Sequence, residues 1–146
     1  MSTRSTTHFY YAGQDKPKAI VYRHPDGYPE GAGADLLKFI DECKALHDPR
    51  FGDPSYLAAK YVVFLADIFN YAYSLGPEGY GKKRPASRLE FLSVGVVMED
   101  PGDIEYRYVV TCDGLPHGSA PKIQCFRVSC NDADDSWKEK EEASRE

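Results

Sequence analysis

The chain has 146 residues and a formal net charge of −5 at pH 7. This length fits one domain of ordinary size, which can bury a sufficient core without disulfides or a structural metal. The charge is uneven, because residues 131–146 hold seven acidic and three basic side chains, which leaves sixteen acidic against fifteen basic ones in residues 1–130. A body so close to neutral argues against general nucleic-acid binding, which needs an excess of positive charge.

The N-terminal residues and the apolar segments point to a cytoplasmic protein. Residues 1–7 are polar and no continuous apolar run follows them, so we expect no secretion signal. The most apolar stretch, residues 56–75, is interrupted by Lys60, Asp67 and Asn70, which are costly at membrane depth. We therefore expect a buried helix there and no membrane contact.

The four cysteines follow no framework that is typical of disulfides. We expect reduced thiols that serve as small core residues. The sequence contains four residues of types that can bind zinc, but their spacings along the chain match no common zinc module. We therefore predict neither a metal nor another cofactor. This set is Cys112, His117, Cys125 and Cys130.

The first half of the chain predicts a β-hairpin followed by two helices. Residues 6–11 and 19–24 are rich in β-branched and aromatic side chains and are separated by turn residues. Apolar spacings of three and four predict an amphipathic helix over residues 33–46. Asp53 and Pro54 predict the N-cap and first position of a second helix, which Gly76-Pro77 ends. The apolar surface of this second helix is wide, so we expect it to be the most buried element.

The second half predicts three strands. Apart from Ser93 and Gly95, residues 91–98 are apolar on both alternating sets, which indicates a strand in the middle of the sheet with cover on both sides. Residues 104–112 alternate between apolar and polar side chains, as in a strand with one solvated face, and residues 100–103 predict a hairpin loop between the two. A last strand spans residues 123–130. The acidic residues in and around the loop are expected to be solvated rather than metal-binding; they are Glu99, Asp100, Asp103 and Glu105.

These elements predict an α+β fold. Residues 1–130 are expected to form a single domain with a mostly antiparallel sheet of about five strands and two helices packed on one face, in the order β-β-α-α-β-β-β. Residues 131–146 are rich in Asp, Glu, Lys and Ser. We expect this charged tail to be disordered.

A glycine-bearing turn between the second strand and the first helix is the most distinctive segment. Free N–H groups at a helix N-terminus, with glycines that let a ligand approach, suit an anion or a phosphate. His24 and Asp26 are also a candidate proton-transfer pair beside Tyr28. The alternative is a structural turn in which Tyr28 anchors the first helix. The candidate binding residues are His24, Asp26, Gly27, Tyr28, Gly31 and Gly33.

This turn, together with Ser2-Thr3-Arg4-Ser5-Thr6, resembles a loose family of small, mostly uncharacterised phage, prophage and bacterial proteins. Members open with a Thr-Arg-Ser/Ala-Thr strand and carry an aromatic-x-His-x-Asp-Gly-Tyr-Pro-x-Gly turn before a helix. The resemblance covers roughly residues 2–40. It implies a phage-borne accessory protein, which by analogy would bind and disarm a host defence factor.

Residues 79–88 contain a concentrated basic patch between the second helix and the third strand. Its tyrosine and cations suit a phosphate backbone, a nucleotide or an acidic protein surface, while a solvated connection explains the composition equally well. The candidate binding residues are Tyr80, Lys82, Lys83, Arg84 and Arg88. Five of the eleven tyrosines fall on elements that could flank one interaction surface; they are Tyr71, Tyr73, Tyr80, Tyr106 and Tyr108.

The leading functional hypothesis is a non-enzymatic binding protein that engages a host protein or complex through these tyrosines and the basic patch. The near-neutral body and the lack of catalytic signatures favour it. A second hypothesis is a protein that holds or hydrolyses a phosphate-bearing small molecule, such as a nucleotide signal, between the glycine-bearing turn and the basic patch. A third is a structural component, which would form a symmetric oligomer such as a homodimer.

Overall fold

The computed structural model describes residues 2–47, 49–75, 89, 92–115, 120–129 and 132–133, with only the backbone of residues 71–75 and 132–133. Within these residues the elements follow the order β1 (Ser5–Tyr11), β2 (Ala19–Arg23), α1 (Ala34–Ala45), α2 (Pro54–Leu75), β3 (Val94–Val97), β4 (Tyr106–Cys112), β5 (Lys122–Arg127) and β6 (Asp132–Ala133). A π-helical turn, Pro29–Gly33, leads directly into α1. The predicted α+β class and the predicted order of helices and strands are confirmed.

The strands form one sheet in the spatial order β3-β2-β1-β4-β5-β6. The predicted hairpin is confirmed, since β1 and β2 pair antiparallel from Ser5 opposite Arg23 to Phe9 opposite Ala19. The central pair, β1 and β4, is parallel, and the other pairs are antiparallel. The sheet is therefore mostly antiparallel, as predicted, around one parallel pair that the sequence pattern did not reveal.

Alternation of side chains gives the sheet one face that packs on the helices. Phe9, Val21 and Val110 point to this face and are buried in the same cluster as Leu57 and Leu65 of α2. Free, buried cysteines also line the core, as predicted for small apolar residues; within the described part of the chain they are Cys43, Cys112 and Cys125. The core thus lies between the sheet and α2.

The prediction that residues 91–98 form a central strand with cover on both sides is wrong. β3 lies at the edge of the sheet, where it pairs with β2, and Val96 is 75% exposed. An apolar run shows only that neither face of the strand carries charged side chains. A buried central strand has this pattern, and so does an apolar strand at an uncovered edge. The sequence therefore could not place β3 within the sheet.

The predicted hairpin loop at residues 100–103 is also wrong, because β3 and β4 are not neighbours. The chain instead leaves β3 at the edge, crosses β2 and β1, and enters β4 on the far side of β1. Asp100 contacts Thr6 and His8 on the way, and these two side chains alternate with the core-facing Thr7 and Phe9. The crossing segment, residues 98–105, therefore lies on the sheet face opposite to the helices.

The span of α1 and the start of α2 agree with the prediction, whereas Gly76 and Pro77, the predicted end of α2, lie outside the described residues. The Asp53 carboxylate accepts the backbone N–H groups of Ser55 and Tyr56 at 3.0 and 3.3 Å, which confirms the N-cap at the start of α2. The prediction that α2 is the most buried element is wrong, because Ser5 to Phe9 of β1 are all buried whereas Val63 of α2 is 56% exposed. Among the described residues, none of the helices combines the length and apolarity needed to cross a bilayer.

Candidate functional site

A groove of about 750 Å³ opens to solvent between α1 and α2. Phe39 and Cys43 of α1 and Phe64 and Ile68 of α2 supply most of its apolar lining, while charged side chains from both helices stand at its rim. Leu46, just after α1, is 71% exposed and also lines it. The groove is thus an uncovered continuation of the apolar core.

The width of the apolar surface on α2 explains why this groove exists. Leu57, Tyr61 and Leu65 point to the sheet and are fully buried. Phe64 and Ile68 lie beside them on the helix but are only partly buried, because α1 covers part of this surface. A 3.6-residue period places more apolar residues on α2 than one sheet face can contact. The surplus apolar side chains therefore face the groove.

Aromatic contacts hold the floor of the groove in one arrangement. The Phe39 ring centroid lies 5.1 Å from that of Tyr61 and 5.4 Å from that of Phe64, and both ring pairs are tilted. Tilted pairs at these distances are favourable beyond the area that they bury. Burial raises the pKa of Tyr61 to about 12, so its hydroxyl is neutral in the core below the groove. The floor is consequently pre-formed.

The charged rim of the groove contains both signs. Asp35, Lys38 and Glu42 belong to α1, and Lys60 and Asp67 belong to α2. Burial raises the pKa of the Cys43 thiol, and nearby Lys60 and Glu42 act on it in opposite directions. The thiol is therefore protonated at neutral pH and contributes an apolar rather than a nucleophilic surface.

A buried arginine fixes the start of α1 against the sheet. Arg23 of β2 donates from Nη1 to the Asp35 carboxylate at 2.7 Å and from Nε to the Pro25 carbonyl oxygen at 2.7 Å. Its guanidinium also lies over the Phe69 ring, 5.4 Å from the centroid. One side chain thus joins β2, the glycine-bearing turn and both helices, and it sets the position of α1 along the groove.

The glycine-bearing turn is closely tied to neighbouring strands. Gly27 donates its N–H to the Thr3 carbonyl oxygen at 2.7 Å and accepts the Tyr108 hydroxyl on its own carbonyl at 2.8 Å. Burial raises the pKa of Tyr108, so this hydroxyl keeps its proton and acts as the donor. Asp26 adopts a left-handed conformation with a φ of 55°, which aspartate tolerates better than most residues.

Several backbone N–H groups of this turn donate to carbonyl oxygens within the protein. Gly31 donates to the Tyr28 carbonyl, Ala32 to those of Asp26 and Tyr28, and Ala34 to those of Pro29 and Gly31. These N–H groups are therefore not open to an anion. The π-helical turn contains Gly31 and Gly33 and merges with α1, which favours the structural interpretation of the glycines.

The predicted proton-transfer pair does not form a direct contact. His24 Nδ1 lies 2.9 Å from the Tyr22 hydroxyl, while the Asp26 carboxylate accepts the Tyr28 hydroxyl at 3.3 Å. The Asp26 charge and, to a lesser extent, burial raise the pKa of Tyr28. The Tyr28 phenol is therefore neutral at physiological pH. His24 and Asp26 thus contact two different tyrosines, Tyr22 and Tyr28, rather than each other.

Replacing Gly27 with alanine is expected to cost about 2 kcal/mol of unfolding free energy. An added Cβ would lie 2.6 Å from the Thr3 carbonyl oxygen and 2.8 Å from the Ser5 Cβ, so the turn would have to move. Gly102→Ala is the matched control, because nothing lies within 4 Å of its added Cβ. Urea unfolding of both variants measures the difference, and equal stabilities would contradict this packing of the turn.

A second polar cluster holds the crossing segment on the other face of the sheet. The Asp100 carboxylate accepts Thr6 Oγ1 at 2.6 Å, pairs with His8 Nε2 at 2.7 Å and accepts Arg107 Nε at 2.7 Å. Thr6 is fully buried, and the buried His8 Nδ1 has no hydrogen-bond partner. The expectation that Asp100 is solvated is therefore wrong, because three side chains of the sheet surround its carboxylate.

The remaining sequence-predicted binding residues do not join the groove in the described part of the chain. Tyr108 is buried in the core, and Tyr106 lies on β4. Cys125 lies opposite Tyr108 rather than beside Cys112, so these two potential zinc ligands are well separated along the sheet. Several predicted residues lie outside the described side chains; they are Tyr71, Tyr73, Tyr80, Lys82, Lys83, Arg84, Arg88, His117 and Cys130.

The segment predicted as a tail is described only at Asp132 and Ala133, which pair with β5 as β6. Comparisons with protein families, with curated proteins and with solved structures find no match to this chain. The groove and the side chains around it are therefore the features of the molecule that indicate a function.

Proposed function

We propose that this chain is a non-enzymatic binding protein that engages a partner protein through the groove between α1 and α2. The observation that carries the proposal is the surplus apolar surface of α2, which leaves Phe64, Ile68 and the exposed Val63 beside α1. Contiguous apolar surface with a polar rim is typical of sites that bind other proteins. The protonated Cys43 thiol and the mixed charges at the rim of the groove suit binding of a partner rather than catalysis.

The partner segment that fits this groove best is an amphipathic helix. α1 has twelve residues, so it offers a wall about 18 Å long, which matches roughly three turns of a docked helix. The apolar floor would take residues spaced by three and four on that helix. The rim has Lys38 and Lys60 as well as Glu42 and Asp67, so the helix would carry both basic and acidic residues beside its apolar stripe.

The biological setting of the proposal comes from the resemblance at residues 2–40. That resemblance supports a phage-type accessory protein, and the partner we propose is a host protein whose inhibition counters a host defence. Occupation of the groove by a helix of that protein would block the helix from its normal contacts. The near-neutral charge of residues 1–130 supports a protein partner over a nucleic acid. Binding of a phosphate-bearing small molecule stays a prediction.

Val63→Asp is expected to weaken partner binding by about thirtyfold, because it would place an unpaired carboxylate against the apolar face of the docked helix. Val63 is largely exposed in the free protein, so folding stability should change by less than about 0.5 kcal/mol. Affinity purification from a bacterial lysate, followed by titration of the isolated partner, measures the effect.

Leu115→Asp is the matched control, since Leu115 is similarly exposed but lies outside the groove. The proposal expects one partner to be recovered by the wild type and by Leu115→Asp and to be lost with Val63→Asp. Recovery of every protein by all three chains in equal amounts would exclude the groove as the binding surface. A recovered partner without any role in defence would leave the groove in place and overturn the anti-defence setting.

A further inference from the structure

The outer edge of β3 lacks the features that protect most sheet edges. Its residues Val94–Val97 include no charge and no proline. Val96 is largely exposed, and Met98, directly after the strand, is 96% exposed. Among the residues that the structure describes, no strand pairs with this edge. An uncharged apolar edge of this kind is a template for pairing with another strand.

The hydrogen-bonding pattern shows which backbone groups this edge presents. The His24 N–H donates to the Ser93 carbonyl at 3.0 Å, and the register places Tyr22 opposite Gly95. Because bonded and non-bonded pairs alternate in an antiparallel ladder, Ser93, Gly95 and Val97 direct their backbone groups to β2. Val94 and Val96 therefore direct their N–H and C=O groups away from the sheet.

The opposite edge of the sheet differs from β3. As far as the structure describes it, β6 spans Asp132–Ala133, and its sequence includes the acidic Asp132. Short and charged edge strands discourage further pairing. In the described part of the chain, the β6 edge is thus poorly suited to further pairing, whereas the β3 edge is an apolar strand that can accept another strand.

We propose that the β3 edge pairs antiparallel with the same edge of a second copy of this chain. A two-fold axis at Gly95 would place Val94 opposite Val96 of the second copy and Val96 opposite its Val94. These are the residues whose backbone groups point outward, so each pair exchanges both of its N–H···O bonds. The two sheets would then continue into one.

The side chains favour this self-complementary register. Ser93 would face Val97 of the second copy, and Leu92 would face Met98, so no like charges meet across the axis. The exposed Val96 and Met98 would each gain an apolar neighbour on the helix-bearing face. Gly95 would meet Gly95 of the second copy at the axis, where the absence of side chains permits close approach of the strands.

Val96→Pro tests the proposal, because it removes an outward N–H while the ladder to β2 keeps its bonds. Sedimentation analysis of the full chain from micromolar to millimolar concentrations should show a monomer–dimer equilibrium for the wild type. The dimer dissociation constant should rise by about thirtyfold in Val96→Pro, since each copy loses one bond across the axis. Val96→Thr keeps the N–H and the branched shape, and it should dimerise like the wild type.

Val96→Lys is a second test that leaves the backbone unchanged. A charge at this exposed position should also raise the dissociation constant, because the edge pair would have to desolvate it. Circular dichroism confirms that each variant is folded before sedimentation is compared. A wild-type monomer at every concentration would overturn the proposal, and so would a dimer that Val96→Pro and Val96→Lys leave unchanged.

Discussion

Arg23→Ala is expected to lower the free energy of unfolding by about 4 kcal/mol, the typical cost of removing one partner from a buried ion pair. The substitution would leave the Asp35 carboxylate largely buried without its guanidinium and would also remove a donor from the Pro25 carbonyl oxygen. The contact with the Phe69 ring would be lost as well. Equilibrium unfolding in urea, monitored by circular dichroism, measures this change.

Arg4→Ala is the matched control for Arg23→Ala. The Arg4 side chain pairs with Asp103 at 2.7 Å, but both partners are well exposed, so this substitution should cost less than about 1 kcal/mol. A cost for Arg23→Ala as small as that of the control would contradict the buried bridge between β2 and α1. Because Asp35 is also at the rim of the groove, Arg23→Ala should reduce partner binding through displacement of α1.

Asp100→Ala is expected to lower the free energy of unfolding by about 3 kcal/mol near neutral pH. The substitution would leave the fully buried Thr6 hydroxyl, His8 Nε2 and the Arg107 guanidinium without their shared acceptor. Asp103→Ala, in the same segment, should cost less than about 1 kcal/mol because its ion pair is exposed. Similar losses in the two variants would show that Asp100 does not fasten the crossing segment.

The pH dependence of stability provides a second measurement on Asp100. Burial by itself raises the pKa of this carboxyl group, but hydrogen bonds from Thr6, His8 and Arg107 more than offset burial, and the net pKa lies below 3.8. A lowered pKa means that the folded state prefers the carboxylate. The contribution of the Asp100 carboxylate to the free energy of unfolding is therefore complete above its unfolded-state pKa. This contribution is lost as the pH falls through the lower folded-state pKa. Asp100→Asn should make the acid-induced loss of stability shallower than in the wild type.

The features that sequence predicted well are those with local causes. Asp53 and Pro54 specify the start of α2 through a carboxylate cap and a residue that lacks an N–H, and neither depends on the rest of the chain. The β1–β2 hairpin is likewise set by alternating residues on both sides of a short turn. Local chemistry is sufficient in both cases, so the helix and hairpin positions follow from the residue pattern.

The features that sequence missed depend on contacts between distant residues. Asp100 lies in a Pro-Gly segment that is typical of a solvated loop, yet it bonds with Thr6, which is 94 positions away. The pairing of β1 with β4 has no local signal either. Alternation of apolar and polar side chains shows which face of a strand is buried, but it does not show which strand lies beside it. The groove did have a signal, since the apolar surface predicted for α2 was wider than one sheet face can cover. The same width is also typical of a deeply buried helix, so the pattern alone does not distinguish burial from an open groove.

Photo-crosslinking from the groove tests most directly whether it holds a helix of a partner protein. The full chain would carry p-benzoylphenylalanine in place of Val63, or in place of Leu115 as the control, and would be irradiated in bacterial lysate. The binding proposal predicts a dominant crosslink from position 63 that maps to one amphipathic helix of one protein and is absent from position 115. The same crosslinks from both positions, or none from position 63, would contradict it.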